Sequence, residues 1–99
     1  MRYAFGRCQL DTESRDVALD GASMHLSPKA FELLAFLVRH PGQVFTRDQL
    51  LEKVWGYDYG GETRTVDVHV HWLRSRIEED PGAPAFIRTV RGVGYVVKA

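Results

Sequence analysis

Arg64-Thr65-Val66-Asp67-Val68-His69-Val70-His71-Trp72-Leu73-Arg74-Ser75-Arg76-Ile77-Glu78-Glu79 is the stretch whose reading decides the fold. As a strand it alternates, with Val66, Val68 and Val70 on one side and Asp67, His69 and His71 on the other. As a helix it also works, because Val66, Val70, Leu73 and Ile77 fall at i, i+4, i+7 and i+11 on one apolar stripe. The two readings lead to different chemistry. A strand sets both imidazoles of His69 and His71 on one face, which suits a metal. A helix, turning about 100° per residue, holds them about 200° apart and presents a polar, basic outer face instead.

Three features of the stretch favour the helix. Its apolar period runs on through Leu73-Arg74-Ser75-Arg76-Ile77, where the alternation has failed. Sixteen residues are too many for an ordinary strand. The segment LRSRIEE consists largely of good helix formers. Against it stand the β-branched Thr65, Val66, Val68 and Val70, and the acids Glu78, Glu79 and Asp80 at the negative end of a helix dipole. The helix is the better reading, and the strand stays open at this level.

Working outward, Ser27-Pro28 opens an apolar helix through AFELLAFLVRH: serine caps free amides, and proline at the first position sacrifices no hydrogen bond. His40-Pro41-Gly42 ends it. A second helix starts at Thr46, whose spacing to Gln49 is that of a capping box, with Phe45 and Leu50 spaced as a hydrophobic staple. Leu50, Leu51, Val54 and Trp55 continue its period, and Gly56 is a C-cap. So few residues separate the two helices that they read as a helix-turn-helix. Tyr57 to Thr63 is a polar, glycine-rich loop. At the N-terminal side, Tyr3 to Leu10 reads as one short strand with Cys8 and Leu10 on one face, and Asp11 to Ser14 as a turn. Val17 to Leu26 forms a hairpin about Asp20-Gly21. At the C-terminal side, Ile87 to Val97 is a hairpin reversing at Arg91-Gly92-Val93-Gly94.

Composition limits the possibilities. Ninety-nine residues, 44% hydrophobic, make one domain with one modest core. No apolar run approaches membrane-spanning length, and MRYAFGRCQLD lacks the apolar core of a secretory leader. Cys8 is alone, so a cytoplasmic setting is expected. Net charge is zero but uneven: residues 1–63 hold seven basic and nine acidic side chains, and residues 64–99 hold six and four. A basic third on an acidic body is an electrostatic footprint, although a small one. No nucleophile, base and orienter group together, so no enzyme is indicated, and no cofactor is implied. His69 and His71 lack a third metal ligand, and His25 and His40 have no motif spacing. Bland roles are assigned to Cys8 as a buried apolar residue, to Tyr95 as packing under the hairpin, to Arg88 and Lys98 as solvated strand residues, and to Gly92 and Gly94 as turn formers. Trp55 reads equally well as core.

The segments SPKAFELLAFLVRHPGQVFTRDQLLEKVWG, RTVDVHVHWLRSRIE and IRTVRGVGYVV, in this order, resemble the winged-helix DNA-binding domain of OmpR/PhoB-type response regulators. The resemblance covers essentially the whole chain. It implies an α+β fold with an N-terminal four-stranded antiparallel sheet, three helices and a C-terminal hairpin wing. It makes residues 64–79 the recognition helix, bound in the major groove of double-stranded DNA. On that helix Val66, Val70, Leu73 and Ile77 pack inward. Arg64, Thr65, Val68, His71, Trp72 and Ser75 face outward, with His69 and Arg74 on the flanks.

Residue roles follow from the same resemblance. Arg64, His69 and Arg74 are expected at backbone phosphates, as is the indole N–H of Trp55. Thr65 and Val68 are suited to thymine methyls. Thr89 resembles a phosphate-contacting wing residue, and Arg91 the wing arginine placed in the minor groove. The loop Tyr57, Asp58, Tyr59, Gly60, Gly61 and Glu62 corresponds to the loop that faces RNA polymerase in family activators. Where many relatives carry two basic residues, this chain has His71-Trp72. Tryptophan cannot make the bidentate guanine contact of an arginine, so affinity leans on head-to-tail self-association over direct-repeat half-sites. The phosphorylatable receiver domain, and the histidine kinase that acts on it, are expected only in a full-length protein. The competing reading is a winged-helix module that binds protein, suggested by zero net charge and Trp72.

Overall fold

A computed structural model describes residues 1–98. Four short strands come first: β1 (Arg2–Phe5), β2 (Cys8–Asp11), β3 (Asp16–Leu19) and β4 (Ala22–Met24). They form one antiparallel sheet in sequence order. The stretch expected as a single strand is therefore a hairpin, with Phe5 paired to Cys8. The cause is Gly6, whose φ of 53° reverses the chain. The inward residues slip by one across the reversal, from Tyr3 and Phe5 to Cys8 and Leu10; Cys8 and Leu10 do share the buried face. The β3–β4 turn is as expected: Asp20 and Gly21 both have positive φ, 52° and 83°, as a type I′ turn requires.

Helix α1 (Pro28–Val38) is capped by Ser27, whose hydroxyl accepts from the Ala30 amide. It is the centre of the molecule, with Phe31, Leu33, Leu34, Leu37 and Val38 buried, and it packs on α3 (Arg64–Ile77), on the helix between them and on the last strand. That middle helix, α2, starts with the full capping box of Thr46 and Gln49. It is α-helical over Arg47–Leu50 and then widens to a π-helical turn over Leu51–Trp55. Gly56, with φ 113°, ends it, and its amide donates back to Leu51 and Glu52. Lys29 Nζ, donating to the Val54 carbonyl at 3.2 Å, stitches α1 to that end.

The wing is β6 (Ile87–Val90) and β7 (Gly94–Val97). A third strand, β5 (Phe45–Thr46), joins it through pairs Phe45–Tyr95 and Thr46–Gly94. Phe45 is thus a strand residue, buried in the same core as Leu50. Of the two wing glycines, Gly92 serves the turn with φ 74°. Gly94 does something else: a Cβ there would lie 1.9 Å from the Phe45 carbonyl oxygen, so its bare backbone is what lets β5 pair.

The opening stretch is helical from Arg64 to Ile77, two residues shorter than the expected 64–79. Glu78 leaves the helix in an extended conformation and is 5% exposed. Its carboxylate accepts from the amides of Ala85, Phe86 and Ile87. The acid that argued against a helix therefore lies beyond its end, anchoring the start of the wing.

Candidate nucleic-acid interface

Helix α3 divides as its wheel requires. Val66, Val70, Leu73 and Ile77 are buried. Arg64, His71 and Ser75 are exposed, with Val68 38% and Trp72 52% accessible, both large for apolar residues. Thr65, His69 and Arg74 are half-buried. The two flanks meet different neighbours. His69 turns toward α2, its ring 4.9 Å from Trp55 and 5.2 Å from Trp72, and Trp55 in turn lies 6.5 Å from Tyr59. Its Nδ1 lies 2.9 Å from the Thr65 carbonyl oxygen. A carbonyl only accepts, so Nδ1 holds a proton and Nε2 is the remaining polar atom of the ring. His69 and His71 do not converge, and no three metal-ligating side chains come together among the described residues.

Arg74 turns the other way, toward the wing. Its Nε donates to the Ile87 carbonyl at 3.0 Å and its Nη2 to Thr89 Oγ1 at 2.7 Å. Two of its five N–H groups are used and three remain. The Thr89 hydroxyl accepts that bond, which leaves its own proton available. Arg91 is exposed in the wing turn. The loop Tyr57 to Glu62 is exposed throughout, Tyr57 by 84%.

One group of residues was not legible as part of the site. Asp67, in the first turn of α3, accepts from Arg47 Nε at 2.7 Å and from the Tyr95 hydroxyl at 2.5 Å, both on Oδ1. Tyr95 is 5% exposed, and the guanidinium groups of Arg47 and Arg74 lie 5.9 and 5.5 Å from the centre of its ring. Burial, and then the bond to Asp67, push the Tyr95 hydroxyl up from its ordinary pKa. The bond to Asp67 raises the Arg47 guanidinium likewise. The available signal was an acid in the first turn of an otherwise basic helix, which the helix dipole favours but which names no partner.

Residues 21–97 match the family described as "Transcriptional regulatory protein, C terminal". The alkaline phosphatase synthesis transcriptional regulatory protein SphR of Synechococcus elongatus is 51% identical over 87 residues, covering 88% of this chain and 34% of SphR. The chain spans between a third and a half of the length of the curated relatives it matches. Among solved structures, the response regulator DrrB of Thermotoga maritima, an OmpR/PhoB homologue, superposes with a TM-score of 0.91 at 38% identity over 99% of this chain and 44% of DrrB. The RstA DNA-binding domain of Klebsiella pneumoniae, solved in complex with the RstA box, gives 0.86 at 36% identity over 98% of this chain and 96% of that one. The order of strands, three helices and wing is the same α+β winged-helix architecture that the resemblance implied. The chain belongs to the OmpR/PhoB family of response-regulator C-terminal DNA-binding domains, which are transcriptional regulators and not enzymes.

Proposed function

We propose that this domain binds double-stranded DNA sequence-specifically in bacterial transcription regulation, with α3 in the major groove and the wing at the adjacent minor groove. One observation carries the reading: the exposed face of α3 continues, through Arg74 and Thr89, into the wing that holds Arg91. The two readers are thus parts of one surface.

Contacts divide by chemistry. Arg64, Trp55 through its indole N–H, Thr89 through its free proton, and the remaining N–H groups of Arg74 serve phosphates, which set register. His69 joins them through Nε2, which donates in the imidazolium form. Thr65 and Val68 offer methyl groups to thymine, and His71 and Trp72 occupy the central groove-facing positions, where apolar and stacking contact replaces guanidinium readout. Arg91 enters the minor groove, whose narrowness concentrates negative potential. The loop Tyr57 to Glu62 faces RNA polymerase. Domains bind direct-repeat half-sites head to tail. A receiver domain and its histidine kinase supply control in a full-length protein.

Selection of bound sites from random duplex DNA tests the function and reports half-site spacing in the same experiment. A recovered motif repeated about one helical turn apart is expected. Three guanidinium contacts (Arg64, Arg74 and Arg91) set a log–log salt slope of about −3 per domain. A slope of about −1 or weaker, with no motif recovered, would turn the reading to a protein-binding winged helix.

A further inference from the structure

Besides the packing of β7 on α1 and the bond from the Gly42 amide to the Val97 carbonyl, the wing is held at three further places. At its base, Glu78 receives the amides of residues 85–87. At its edge, β5 contributes only two pairs. On its DNA-proximal side the attachment is made by side chains: Arg74 on Thr89 and Ile87, and the Asp67 carboxylate shared by Arg47 of α2 and Tyr95 of β7. Only the last joins α2, α3 and the wing at a single atom. It also masks an acid. An unpaired Asp67 in the first turn of α3 would repel phosphate, and Arg47 neutralises it at 2.7 Å. Tyr95 is too buried to touch a ligand, so its hydroxyl acts through Asp67 and the neighbouring Arg47.

We propose that Asp67, Arg47 and Tyr95 are positioning residues that set the angle between α3 and the wing, so that Arg91 meets DNA in the same docking event as α3. This rests on the DNA-binding reading for its consequence, but not for its geometry. The test therefore has an arm without DNA. Tyr95→Phe keeps the ring beside the two guanidinium groups, keeps every charge, and removes only the hydroxyl. Residual dipolar couplings of the free domain should then show α3 unchanged internally, residues 87–97 unchanged internally, and the two reoriented relative to each other. An unaltered relative orientation overturns the proposal whatever DNA does.

The second arm is a double-mutant cycle on duplex affinity. In the parent, Arg91→Ala is expected to weaken binding about tenfold, and in the Tyr95→Phe background only about twofold, because the misdirected wing has less to lose. Equal losses in both backgrounds overturn the proposal. Asp67→Asn retains an oxygen for the Tyr95 hydroxyl and should preserve the wing angle better than Asp67→Ala, a rescue that mere loss of packing would not show. If Tyr95→Phe fails to fold, the Asp67 pair supplies the same two measurements. If the parent itself does not bind duplex DNA, the functional reading falls, while the dipolar couplings still decide the clamp.

Discussion

At the scale of single residues, the most consequential side chain is one that touches no ligand. Glu78 offers two oxygens to three backbone amides in a nearly dry setting. Glu78→Gln replaces one oxygen by an NH2 that confronts donors with donors. With at least one buried amide orphaned and the charge-assisted bonds lost, the domain should lose about 3 kcal/mol, measured by denaturant unfolding. Trp72 is the opposite case. It is half exposed and its aromatic neighbour on the helix is His69, so Trp72→Ala should move stability by no more than about 0.5 kcal/mol. It should change base preference in a site selection more than Arg64→Ala does, because Arg64 holds phosphate. Uniform weakening by both variants would remove Trp72 from readout. Outward residues such as these were legible from the helical wheel. The Asp67 group was not, because its partners lie 20 and 28 positions away in sequence and periodicity reports faces, not partners.

At the scale of elements, the caps were the most legible features. Ser27, the Thr46–Gln49 box and Asp20-Gly21 all act as their chemistry dictates. The misreadings share one cause, which is that local pattern does not register backbone departures. Gly6 breaks the run at a one-residue slip in apolar phase between Phe5 and Cys8, too slight to announce a turn. The π turn over Leu51–Trp55 lies in a run whose residue types read as an ordinary helix. Glu78 ends α3 for the sake of amides seven to nine positions ahead. Gly94 shows what such a departure is worth. Gly94→Ala drives a methyl into the Phe45 carbonyl, and either β5 separates from β7 or the wing tilts. The expected cost is about 2–3 kcal/mol, read as a fall in melting temperature. Gly92→Ala, at a positive φ with open space around it, should cost only about 1 kcal/mol.

At the scale of the whole molecule, acid and base are evenly balanced, so affinity comes from where charge sits and not from its sum. Alkaline stability follows from two buried groups. Burial pushes the Cys8 thiol up to about 11, and Tyr95 is raised above its ordinary value. For each, the folded form holds its proton more tightly than the unfolded chain. The stabilisation is therefore complete below the unfolded pKa and is lost as pH rises through the folded one. Melting temperature should fall steadily above about pH 9; Cys8→Ala should flatten the lower part of that fall and Tyr95→Phe the upper part. A final consequence concerns the aromatic row Trp55–His69–Trp72. Those are the chain's two tryptophans, and both flank one imidazole on the same surface. The molecule thus carries its own optical reporter: indole emission should respond to an arriving duplex without any attached dye, and Trp72→Phe should divide that signal into its groove and backbone halves.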